Sequence, residues 1–163
     1  MSLFQTVYDL EQESNTVRRR AYGVIEVADG KFQHIRLRPW PKLISTMEIN
    51  WTAGLKSSRV EKDICRCYYN QPFFHRRFLT LMYIQSSLAT TRNTLVTTLN
   101  VLDTVARIKQ SNALLTEVTN QRVSDRAMIR WGWERHCLTS RHRHFIKRFY
   151  GTYPESWYAT KTS

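Results

Sequence analysis

The chain has 163 residues, with 25 Lys and Arg against 13 Asp and Glu, for a formal charge of +12. At 42% hydrophobic and 12% aromatic it is too rich in core-forming side chains to be a disordered tail. No run approaches the ~20 apolar residues of a membrane-spanning helix. The length suits one domain over 1–163, and three cysteines without a disulfide framework point to free thiols in a reducing, intracellular compartment, cytoplasm or nucleus.

Leu3, Val7 and Leu10 recur at helical spacing, which predicts a short helix from Ser2 to about Ser14, interrupted by Asn15 and Arg18-Arg19-Arg20. Asp29-Gly30 then lies between two β-rich runs and suits a type I′ hairpin turn, where both central residues need positive φ. A two-residue turn there pairs Ala28 with Lys31, Glu26 with Gln33, Val24 with Ile35 and Tyr22 with Leu37. Val24, Ile35, Tyr22 and Leu37 would share one apolar face. Pro39 and Pro41 end the second strand, and Leu43 to Trp51 reads as a third. Residues 1–52 are therefore expected to form a short helix plus a β-meander.

From Ser58 the period changes. Ser58 and Glu61 resemble a capping box, followed by Val60, Ile64, Cys67 and Tyr68 at helical spacing. After Pro72 no Gly or Pro appears until Gly132, and Leu81, Leu88, Leu95 and Leu102 are each seven residues apart, with Ile84 and Val105 in the companion register. A helix from Pro72 to about Lys109 would be roughly 57 Å long. Its seam of Leu81, Ile84, Leu88, Leu95, Leu102 and Val105 needs a returning helix, read over 112–120, or a partner chain. Ser124 caps a further helix towards Trp133, and Thr139 or Ser140 opens a last one through Tyr150, stopped by Gly151. The expected fold is α+β but predominantly α: a meander, an antiparallel long-helix bundle over 58–150, and a tail over 151–163.

The basic excess implies a polyanionic partner: nucleic acid, an anionic membrane surface or an acidic protein surface. Residues 121–148 hold eight bases against two acids. On helices, Arg122, Arg126 and Arg130 form a stripe, and Arg141, Arg143, Lys147 and Arg148 face outward over Phe145 and Phe149. These seven are the candidate nucleic-acid or polyanion contacts. The alternative is a structural subunit held in a larger complex, or as a homo-oligomer, by the long seam. Cys65, Cys67, His75, His136, Cys137, His142 and His144 match no finger-like zinc spacing, so no metal and no cofactor is expected. Without a phosphate loop, a nucleophile elbow or clustered carboxylates, the sequence also disfavours an enzyme.

Overall fold

The computed structural model describes residues 3–41, 62–118, 123–137 and 141–155. A three-residue strand β1 (Gln5–Val7) leads to α1 (Ser14–Arg19), then β2 (Tyr22–Ala28) and β3 (Lys31–Arg38). There follow β4 (Ile64–Asn70), β5 (Phe78–Ser86), α2 (Arg92–Ile108), β6 (Ala113–Glu117), α3 (Asp125–Arg130), β7 (Glu134–His136) and β8 (His144–Arg148). The strands form one mixed sheet in the order β1-β3-β2-β4-β5-β6-β8-β7. Every neighbouring pair is antiparallel except β5 and β6, which are parallel and joined across the sheet face by α2.

The core follows from alternation. Ile25 and Val27 of β2, Ile35 and Leu37 of β3, Cys67 and Tyr69 of β4 and Leu79 of β5 point to one face, where Val101, Leu102 and Val105 of α2 cover them. Each such side chain stabilises the fold by about 1.5–3 kcal/mol through its burial. The C-terminal end of α2 is fixed by Lys109, whose Nζ donates to the Arg20 carbonyl at 2.6 Å and to Gln71 Oε1 at 3.1 Å. Burial among neutral acceptors pulls its pKa down to about 8.

The long-helix bundle and coiled coil expected from the sequence are not present; a sheet with three short helices takes their place. The supposed seam is divided among three structures. Leu81 and Ile84 lie in β5, Leu88 stands 83% exposed in the following loop, and only Leu95, Leu102 and Val105 belong to a helix. A seven-residue spacing was met by chance across a strand, a loop and a helix, and β-formers such as Phe78, Tyr83 and Ile84 decided the strand. The expected helix through Ile64 and Cys67 is β4, the returning helix is β6, and the last helix is β8. The segment predicted to be an N-terminal helix contains β1, and the helix forms later, across Asn15 and Arg18. The proposed strand Leu43 to Trp51 and the Ser58 cap lie outside the described residues. Among the described residues no helix is long and apolar enough to cross a membrane.

The Asp29-Gly30 turn is as expected, with φ of 51° and 72°. Its register is not. A bulge between Glu26 and Val27 shifts the ladder, so Ile25, not Val24, faces Ile35, and Val24 faces Arg36. The buried face consequently carries Gly23, Ile25 and Val27. Gly23 is required there because an added Cβ would come within 2.5 Å of the Tyr69 hydroxyl oxygen and 2.6 Å of the ring. Tyr69 is itself fully buried, and its hydroxyl has no hydrogen-bond partner among the described residues. Gly23→Ala is expected to lower unfolding stability by about 2 kcal/mol in urea titration. Tyr69→Phe, which removes the unsatisfied hydroxyl, is expected to raise it by about 1 kcal/mol.

Candidate functional site

Parallel strands linked by a helix leave a crevice where their carboxyl ends part, and β5 and β6 part early. Their pairing runs from Phe78↔Ala113 only to Leu81↔Thr116, while β5 continues beside β4 as far as Ser86. Beyond Leu81 the described part of β6 offers β5 no further ladder partner. Met82, the extra residue between the Tyr69↔Leu81 and Tyr68↔Tyr83 pairs, makes a bulge where the two strands part.

A cleft of about 330 Å³ opens there. Leu81, Tyr83 and Ile84 of β5 form one wall, and Leu95 and Leu99 of α2 form the roof. Val118, Val123 and Met128, with Trp131 and Trp133 beyond α3, close the far side. Trp133 is 2% exposed and anchors that wall, and α3 is set by Ser124, whose hydroxyl accepts from the Ala127 amide at 3.1 Å. Among these apolar surfaces stand Thr116, held by its hydroxyl on the Leu81 carbonyl at 3.1 Å, and Glu117. Glu117 Oε1 meets His142 Nδ1 at 2.7 Å. Donation of Nδ1–H to the carboxylate fixes which ring nitrogen carries the proton in the pair. Glu117 was not singled out in the sequence, and His142 was weighed only as a metal ligand. They are 25 residues apart and are joined by the pairing of β6 with β8, where Glu117 faces His144.

The N-terminus of α2, a natural anion site, already holds a carboxylate. Asp63 Oδ1 accepts from the Thr91 amide at 2.8 Å, and Oδ2 accepts from the hydroxyls of Thr91 at 2.8 Å and Thr94 at 2.7 Å. Desolvation pushes the Asp63 carboxyl up, but the hydrogen bonds from Thr91 and Thr94 outweigh it and hold the group below its ordinary value. Thr91 also caps the helix through Thr94 N. The hairpin tip joins this knot: the Gly30 amide donates to Thr94 Oγ1 at 2.9 Å, and a Cβ on Gly30 would collide with Asn93.

The residues expected to bind polyanions are dispersed or neutralised. Lys147 donates to Asp103 Oδ2 at 2.7 Å with both side chains largely buried, Arg148 to Glu134 Oε2 at 2.8 Å, and Arg143 Nε to Asp125 Oδ1 at 3.0 Å. Arg126 and Arg130 are exposed on the short α3, Arg141 is exposed in a loop, and Arg122 lies outside the described residues. The Arg-rich C-terminal helical surface is thus absent. Its non-enzymatic, nucleic-acid-binding reading is withdrawn, as is the reading of a subunit held by a heptad helix. Cys65 and Cys67 share the buried face of β4, and no group of three metal-ligating side chains occurs among the described residues. Three strands separate His136 from Cys65.

Neither a family model nor a curated protein matches the sequence. Among solved structures, a nourseothricin acetyltransferase aligns over 90% of this chain and 99% of its own, at 12% identity and a TM-score of 0.43. A likeness of that size carries no argument about this protein's activity.

Two measurements check the local chemistry. The depressed pKa of Asp63 stabilises the fold above the unfolded-state value of ~3.9 and loses that effect as pH falls through the folded value. Asp63→Asn is therefore expected to lower the Tm at neutral pH, with the gap to wild type closing on acidification below about pH 4. Burial raises the thiols of Cys65 and Cys67, whereas Cys137 is exposed. A colorimetric thiol reagent is expected to titrate one cysteine in the native protein and all three after denaturation.

Proposed function

We propose that the fork between β5 and β6 binds an extended, amide-bearing acyl donor, and that Glu117 of its lining, with the His142 bound to it, assists transfer of the acyl group to an amine or hydroxyl acceptor. The early parting of two parallel strands carries this reading. It ends the described ladder at Leu81↔Thr116 beside an apolar cleft, where an amide-bearing chain would add as a further strand along β5. A backbone N–H on that edge is also the donor that a carbonyl oxygen needs as negative charge develops on it. His142 Nε2 takes the acceptor's proton while the nucleophile bonds to the acyl carbon. The donor's leaving atom departs with its electron pair and recovers a proton from the imidazolium. Glu117 holds the imidazole in the required tautomer.

The position of Asp63 narrows the donor. With a carboxylate already seated on Thr91 and Thr94, the N-terminus of α2 favours no second anion, so the donor is held through its amide and apolar parts rather than through a phosphate at that helix.

A short thioester with one amide and no phosphate, S-acetyl-N-acetylcysteamine, is a suitable probe. It is expected to raise the Tm of the wild type and to leave the Tm of Leu99→Trp, which fills the cleft, unchanged. His142→Ala is expected to keep the thermal shift while transfer to amine acceptors falls by about 10²–10⁴-fold. A wild type without a thermal shift, or a Leu99→Trp variant that binds equally well, removes the cleft from consideration. Binding without transfer to any acceptor reduces the protein to a binding module.

A further inference from the structure

The strand directions place a second surface at the end of the sheet opposite the fork. β1, β2, β5 and β6 begin there, and β3, β4 and β8 end there. Exposed aromatics collect along this end. Phe4 meets Trp40 edge to face at 5.5 Å, Phe73 and Phe74 form the tip of the β4–β5 turn, and Tyr150 follows β8. Phe73 is 70% and Phe74 88% exposed, unusual for adjacent large apolar residues.

The same end is basic. Arg18 and Arg19 lie in the last turn of α1, Arg38 ends β3, Arg76 and Arg77 follow the two phenylalanines, and Arg107 lies in the last turn of α2. Among the described residues none of these six pairs with a carboxylate, in contrast to Arg143, Lys147 and Arg148. The surface is also braced. The Gln71 amide donates to the Ala21 carbonyl at 2.7 Å, Lys109 bridges Arg20 and Gln71, and the Asn112 amide donates to the Arg77 carbonyl at 2.6 Å.

We propose that this end of the sheet docks on an anionic lipid surface, with Phe73 and Phe74 entering the interface and the surrounding arginines meeting the headgroup phosphates. A projecting apolar tip gains by leaving water for the acyl boundary, and unpaired arginines around it gain from anionic headgroups. The ring geometry disfavours nucleic acid. Phe73 and Phe74 stand at 89° to each other, and the Arg76 guanidinium lies over the Phe73 ring at 5.4 Å, so that ring offers its covered face to no base.

Co-sedimentation of the full chain with vesicles of phosphatidylcholine, with and without phosphatidylserine, tests this. Binding is expected only with phosphatidylserine and is expected to weaken as salt rises. Phe73→Ser with Phe74→Ser is expected to reduce it about tenfold or more. Arg76→Gln with Arg77→Gln is expected to reduce it roughly fivefold per arginine. Leu88→Ser removes an equally exposed apolar residue near the fork and is expected to bind as wild type, which separates docking from general stickiness. All five positions are exposed, and unchanged melting curves confirm that the variants fold. Equal binding to both vesicle types, a matching loss in Leu88→Ser, or unaltered binding in the phenylalanine pair overturns the proposal. So does tight retention on single-stranded RNA without vesicle binding.

Discussion

The carboxylate of Asp63 at the N-terminus of α2 is the contact on which the arrangement of this protein turns. A helix begins with unsatisfied amide donors and a partial positive charge, and here the chain supplies the anion itself. The same few atoms draw in the tip of the β2–β3 hairpin, because Thr94 accepts from Gly30 while donating to Asp63. The other turn residue is tied in as well, through the Asp29 amide on the Asp63 carbonyl at 2.9 Å. Three segments distant in sequence are thereby locked at one end of α2.

Charge is distributed with a similar division of labour. On the β6–β8 side, acids and bases cancel in place. Asp103 is pushed up by its burial and drawn back by Lys147, Asp125 holds Arg143 and Arg135, and Glu134 holds Arg148. Only the Lys147–Asp103 pair is buried, and there the loss of one member would leave an uncompensated charge. Six arginines without a carboxylate partner among the described residues stand at the far end of the sheet.

Local chemistry in the sequence was readable where a single residue type decides a conformation. Asp29-Gly30 announced a turn with two positive φ values, and Ser124 announced a helix start. Periodicity failed where burial is two-sided. β8 lies between β6 and β7, and both Phe145 and Ile146 are buried, so its alternation is lost and the basic flanks look like a helical face. β5 failed differently. Leu81 sits at the fork and Ile84 beyond it, both line the cleft, and the resulting three-residue spacing imitates a helical seam. The bulge at Glu26/Val27 has no sequence mark of its own, and it moved the buried face by one residue. The cleft was not legible at all, since its walls come from β5, α2, the end of β6 and the segment around α3. Glu117 and His142 become neighbours only through a ladder whose end pair, Glu117 and His144, is 27 residues apart, extended by the Val118 amide on the Arg143 carbonyl.

Antiparallel order has a further consequence for where substrate would be encountered. β5 has nine residues, so its two ends are roughly 30 Å apart. A molecule resting on lipid by the end that bears Phe73 and Phe74 holds the Ser86 end of its fork several screening lengths above the headgroups, since the Debye length is about 8 Å at physiological ionic strength. The cleft then samples bulk solution rather than the ion-enriched layer at the bilayer. An anionic surface could anchor the protein without changing the local concentration or protonation of what reaches His142.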